Sequence, residues 1–172
     1  MSDHLCVSCN MCCDGTLFGY VEVTAQEQTR LGAGPDIREI KGRLAMRQAC
    51  TKLGQDGMCG CYAVRPQKCD AFNCKLLKAL EAGEVDEAYA RFAVTHAKRM
   101  REVSLHAFHA LIPEQYLPLE PRDRTNPRRC MNALQEALRD GANLPKHHVD
   151  LAEKAYLMFA MMLSETFAAP ET

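Results

Sequence analysis

Residues 6–13 read Cys6-Val-Ser-Cys9-Asn-Met-Cys12-Cys13, and this stretch sets what the rest of the fold must do. A Cys-x2-Cys spacing lets two thiolates converge on one metal from a tight turn, with the intervening amides free to point at sulfur. A thiolate ligand has lost its proton, and a soft ion held by several of them offsets the cost of gathering negative charge. Three cysteines at this spacing also match the opening of an iron–sulfur binding run. The cysteine-proline that usually completes that run is absent, and Cys13 follows Cys12 directly. Adjacent side chains diverge. Cys12 and Cys13 therefore face different metal atoms, or one is a ligand and the other a spare.

Working outward, a second set lies in CTKLGQDGMCGCYAVRPQKCDAFNC, residues 50–74: Cys50, Cys59, Cys61, Cys69 and Cys74. Gly57 and Gly60 let the backbone turn closely around a site, Gln55-Asp56-Gly57 is a turn signal, and Pro66 stiffens the loop before Cys69. The chain holds ten cysteines in 172 residues, nine of them at or before Cys74. Charge shows no such bias. Residues 1–74 carry eight basic and eight acidic groups, the remainder thirteen and fourteen. Residues 1–6 show no basic region followed by an apolar stretch, so no export signal is read. A cytoplasmic, reducing setting is expected, where structural disulfides are rare and clustered thiols point to metal.

The chain resembles the CxxCxxCC cysteine-cluster family, described as a zinc- or iron-chelating domain. The matching residues are Cys6, Cys9, Cys12 and Cys13, then Cys50, then the stretch from Gly57 to Cys74. In that stretch Cys59, Tyr62, Arg65, Pro66, Cys69 and Phe72 fit the family's later motif in order. The resemblance covers residues 1–75 and implies zinc or iron chelation. Cys61 falls in a variable slot and is read as an extra thiol. Flagellin lysine methylases resemble the same pattern and are associated with an iron–sulfur cluster and a methyl donor. This chain is much shorter and carries no Gly-rich nucleotide loop.

The expected ligands are Cys6, Cys9, Cys12, Cys13, Cys50, Cys59, Cys69 and Cys74. Eight thiols suffice for two four-thiolate sites, for one cluster plus a structural ion, or for one site with spare thiols. Tyr62 and Arg65 are read as supporting residues, either offsetting thiolate charge and bonding loop carbonyls or clamping the Arg-Pro turn. His4 is a weaker outside ligand. Cys130 lies on an apolar helical stripe and is expected in the core.

The fold expected is α+β, mainly α, with a metal-stabilised cysteine-rich module over 1–80 and a three-helix segment over 84–168 packed on it. Thr16–Thr24 reads as a strand. Thr24 and Glu27 form a capping box for a helix to Leu31, stopped by Gly32. Residues 37–48 carry strand signals, and 73–82 a short helix ending at Gly83. Over 84–112 an apolar stripe recurs at Val85, Tyr89, Phe92, His96, Met100, Val103, Ala107 and Leu111, ended by Pro113. On this stripe His96 is expected as a core histidine. Asn126 caps a helix with Pro127 at its first position, and Cys130, Leu134 and Leu138 share a face. Pro145 opens a third helix to Phe167, apolar on more than one face and so buried or shared with a partner.

A net charge of −1 argues against binding held by nucleic-acid phosphates or an anionic membrane. No apolar run approaches the ~20 residues that span a bilayer. His106 and His109 lack a carboxylate pattern, and Asp70 is expected as a solvated loop carboxylate. Arg122, Arg124, Arg128 and Arg129 read as a solvated face. The function expected is a metal-binding protein holding an iron–sulfur cluster, such as 4Fe-4S, or zinc. The spacing of Cys6, Cys9 and Cys12 tilts the choice to iron. The alternative is an iron–sulfur-dependent redox or methyl-transfer enzyme, or a subunit of one. A homodimer through the C-terminal helices is the expected partner.

Overall fold

The computed structural model describes residues 3–167, with side chains from Leu5 onward. Helices dominate, joined by one small sheet, so the chain is α+β and mainly α. It divides into two compact units, Met1–Glu84 and Val85–Thr172. Among the described residues no helix is long and apolar enough to cross a membrane.

The first unit is built from short pieces: α1 (Asp3–Cys9), β1 (Tyr20–Glu22), α2 (Ala25–Leu31), β2 (Ile37–Ile40), β3 (Arg43–Arg47), α3 (Gln67–Ala71) and α4 (Lys75–Glu81). The sheet order is β1-β3-β2 with antiparallel pairs. Tyr20 faces Arg47 across β1–β3, and Ile37 faces Met46 across β2–β3. Lys41 and Gly42 close the β2–β3 hairpin, both with positive φ, 51° and 77°. Two such residues match the right-handed twist of the strands they join.

The strand expected over 16–24 forms only at Tyr20–Glu22. Its first half is instead wound onto the cysteine loop. The Leu17 amide donates to the Met11 carbonyl at 2.9 Å, and the Thr16 amide to Asp14 Oδ1 at 2.9 Å. Met11, with no exposed surface, is the peg around which the loop turns. The β-branched and aromatic content of 16–19 carries no information about this local bonding. The sheet packs a thin apolar cluster of Val23, Leu31, Met46 and Cys61. Phe18 and Phe72 meet edge to face, their centroids 4.7 Å apart.

The second unit consists of α5 (Glu87–Leu111), a single 3-10 turn (Glu114–Tyr116), α6 (Pro121–Arg124), α7 (Pro127–Arg139) and α8 (Lys146–Met162), closed by a π turn at Leu163–Phe167. The capping reading of α7 holds. Asn126 Oδ1 accepts from the amides of Arg128 and Arg129, with Pro127 in the first turn. α5, α7 and α8 pack pairwise around Phe108, Ile112, Cys130, Leu134, Val149 and Ala152. Cys130 is fully buried in this core, its thiol donating to the Arg124 carbonyl at 3.4 Å. Leu138, 38% exposed, lies at the rim of the face it shares with Cys130 and Leu134.

On α5 the predicted stripe meets the core only toward its end, at Ala107 and Leu111, and its earlier aromatic positions face outward. Tyr89, Phe92 and Val103 are 51%, 65% and 62% exposed, whereas Ala90, Ala93, Val94, Ala97, Ser104 and Phe108 are buried. Alanine loses no side-chain entropy on burial and lets neighbours approach closely. A narrow alanine face therefore won over a bulkier one. His96, expected in the core, is exposed and stacked on Phe92 at 5.9 Å. The basic cluster is tied to carboxylates: Arg122 to Glu120, Arg124 to Glu114 and Arg129 to Asp123.

Candidate metal centre

The first Cys-x2-Cys sits on a helix, α1, rather than the tight turn expected from its spacing. Three residues apart on a helix, Cys6 and Cys9 share a face. Asn10 then breaks the helix with φ 61°, a conformation asparagine tolerates. Its amide donates back to the Cys6 carbonyl, and its own carbonyl accepts from the amides of Cys13 and Asp14. This turn carries Cys12 toward α1. Cys74 arrives from the far end of the unit as the N-cap of α4, its Sγ accepting from the Leu77 amide at 3.4 Å.

Burial pushes Cys9 up to about 12, partly offset by the Met11 amide, with Cys74 and Cys6 adding to the rise. Cys12 is held higher still by burial, then by Cys9, Cys13, Cys74 and Cys6. Burial also raises Cys74, against the amides of Leu77 and Leu76.

A second group forms around the 50–61 loop. The Cys50 amide donates to the Cys13 carbonyl at 2.7 Å, which binds the loop to the end of the first motif. The Leu53–Cys59 bridge and the bond from the Gly60 amide to the Lys52 carbonyl fold the loop back so that Cys59 comes beside Cys50. Cys61 is 8% exposed within the apolar cluster, against which Cys50, Cys59 and Cys69 pack. Its Sγ lies 3.6 Å from that of Cys59. Burial and then Cys50 and Cys59 push Cys13 up to about 11. Burial and then Cys13, Cys50, Cys59 and Cys61 push Cys69 up to about 12.

Three supports hold these groups, and two of them could not be read from the sequence. Glu27 closes its capping box through Oε2, which accepts from the Thr24 amide at 2.7 Å. Its other oxygen accepts from the Gln67 amide at 2.7 Å, forty residues away, and so anchors the helix that carries Cys69. Gly57, φ 80°, is pressed against the first motif. A Cβ there would stand 2.7 Å from Asn10 Nδ2 and 2.8 Å from the Val7 carbonyl. Arg65 and Tyr62 form the third support. The guanidinium lies 4.0 Å over the Tyr62 ring and pairs with Asp70, its Nε 2.8 Å from Oδ1. The arrangement fits a clamp on the Arg-Pro turn, and Asp70, 63% exposed and so solvated as expected, lies on α3 rather than in a loop and joins it through this pair.

All eight expected ligands, with Cys61, lie in the first unit, and one sulfur pair, Cys59 with Cys61, is in close contact. All ten cysteines are free thiols. Among the described residues, no three His, Cys, Asp or Glu side chains stand ready-set to hold an ion. The donor chemistry fits a soft metal all the same. Burial raises Cys9, Cys12, Cys13, Cys50, Cys61, Cys69 and Cys74, and a coordinated cation would invert that balance by deprotonating its ligands. The His4 side chain lies outside the described residues. His106, His109, His147 and His148 are exposed in the second unit. Comparison with family models, with curated proteins and with solved structures finds no match.

Proposed function

We propose that this chain is a cytoplasmic metal-binding protein that holds iron, as an iron–sulfur cluster, or zinc through thiolates of its first unit. The observation that carries the reading is that all eight expected thiols, with Cys61, lie inside one compact unit of short elements. A bound soft ion supplies positive charge that turns the thiols into thiolates and adds free energy of folding. Glu27, Gly57 and the Tyr62–Arg65–Asp70 clamp hold the backbone that presents them.

The test is metal and acid-labile sulfide content of the full chain purified without air. Iron with sulfide, or zinc, bound in proportion to protein is the expected result. Compact protein with every thiol free and no metal would sink the reading. The same proposal takes Leu151, Leu157, Met158 and Met161, exposed on α8, as the contact of a homodimer. A monomeric mass at high concentration in solution removes that part.

A further inference from the structure

We infer that Cys59-Gly60-Cys61 is a redox-active dithiol, at which a small disulfide of the glutathione class is reduced while the two cysteines close into a disulfide of their own. The inference goes beyond the metal reading and does not depend on it. Cys59 is an expected ligand as well, so closing the bond withdraws it from any metal it holds.

The basis is geometric. Cys59 Sγ and Cys61 Sγ lie 3.6 Å apart, in thiol-to-thiol contact. Passing from that contact to the ~2.05 Å of a disulfide asks for about 1.5 Å of movement. The backbone on either side holds the pair in place. Cys59 forms the bridge to Leu53, and its carbonyl accepts from the Tyr62 amide at 3.2 Å. The Cys61 carbonyl accepts from the Val64 amide at 2.9 Å. Between the two thiols, the Gly60 amide donates to the Lys52 carbonyl at 2.7 Å, and a Cβ on Gly60 would stand 3.2 Å from that same oxygen. A glycine is thus what lets the turn draw this tight.

The two sulfurs differ in access, and the difference assigns their roles. Cys59 is half-buried and flanked by exposed Met58 and Gly60. Cys61 is 8% exposed and belongs to the apolar cluster of Val23, Leu31 and Met46. An outside disulfide therefore meets Cys59 first. Cys59 Sγ bonds to one sulfur of that disulfide, whose S–S bond breaks, and the departing thiolate takes up the proton that Cys59 has given up. Cys61 Sγ then bonds to Cys59 Sγ, the mixed disulfide breaks, and the second small thiol leaves with the Cys61 proton. Two electrons pass from the protein sulfurs to the small disulfide, which becomes two thiols. The second step is intramolecular between groups already in contact, so it outruns attack by another small thiol. In a reducing compartment such a bond is transient, the usual form of a disulfide that senses or transfers redox state.

The experiment equilibrates the full chain, purified reduced and without air, in glutathione buffers of rising oxidised fraction. Samples are quenched in acid, alkylated and digested with trypsin. Residues 53–68 form one peptide, since Arg65 precedes proline, and Cys59 and Cys61 are its only cysteines. The first cysteines to escape alkylation should be this pair, in a peptide lighter by two hydrogens. Its midpoint should fall at an oxidised fraction about tenfold lower than for the same chain in denaturant, where the sulfurs are not held together. Cys61→Ser should accumulate a glutathione adduct on Cys59, whereas Cys59→Ser should leave Cys61 without one. A first disulfide between other cysteines, a midpoint unchanged by denaturant, or a lasting adduct on Cys59 in the unmodified chain overturns the inference. Metal content of the same samples separates the two readings. A metal-free chain that closes the pair sinks the metal reading alone, and a metal-bearing chain that keeps both thiols reduced in fully oxidised glutathione sinks this one alone.

Discussion

The two units solve the same problem by different means. The second closes long helices over Phe108, Ile112 and Leu134, all at or near zero exposure. Burying side chains of that size yields about 1.5–3 kcal/mol each, enough in number to hold a helical bundle. The first has helices no longer than seven residues and strands no longer than five, and it buries Leu5, Met11, Leu17, Met46, Leu76 and Leu77 among short elements and loops. Short elements gain little from propensity or burial. The contrast teaches that long helices can close a core along one seam, whereas short elements need bonds between distant segments, such as that from the Gln67 amide to Glu27, to stay together.

The sharpest way to break that contrast is to remove metal. Structural zinc in small domains contributes an apparent ~10–16 kcal/mol. Chelation under reducing conditions should therefore unfold residues 5–84 and leave α5, α7 and α8 protected in hydrogen exchange. Equal protection of both units before and after chelation would end the distinction. Next in size, Phe108→Ala empties the bundle core and should cost about 3–5 kcal/mol. Its effect should fall on the second unit, with thiol-bound metal unchanged; release of metal by this variant would show that the halves share one source of stability.

A smaller effect is expected at Glu27. Its carboxyl is held below the usual carboxylate range by the Gln67 amide first, then by the Thr24 amide. A group depressed in the folded state stabilises above its unfolded pKa, about 4.3 for glutamate, and that stabilisation is lost as pH falls through the folded value. Glu27→Gln should cost about 1.5–3 kcal/mol at neutral pH, the scale of hydrogen bonds to a charged group. It should also flatten the acid limb of the first unit's denaturation profile; an unchanged limb assigns that limb to other carboxylates. Smallest of the four, Gly57→Ala forces a left-handed alanine against Asn10 and Val7, at about 1–3 kcal/mol. Its signature is a lower melting temperature for the first unit alone.

The sequence made some of this legible, and the reasons are local. Thr24 and Glu27 announce a cap because the bonds involved span three residues. Asn126-Pro127 does the same for α7. The stripe on α5 gave the right period, but hydrophobic size is a poor guide to phase where alanines make the buried face. Glu27 Oε1 reaching Gln67 is a contact across forty residues, for which no short-range signal exists. Cys61 falls in a slot that is variable in the resembling family, and its burial beside Cys59 is a packing outcome that no spacing rule reports. Adjacency of Cys12 and Cys13, in contrast, is stated by the sequence itself.

That adjacency has a mechanical side. Neighbouring α-carbons are fixed about 3.8 Å apart by the peptide plane between them, so the Cys12 and Cys13 sulfurs hang from one rigid strut. The far end of that strut is tied to the second loop, because the Cys13 carbonyl accepts from the Cys50 amide. A displacement at Cys12 is thereby passed through the backbone to Cys50, with no relay of side chains between them.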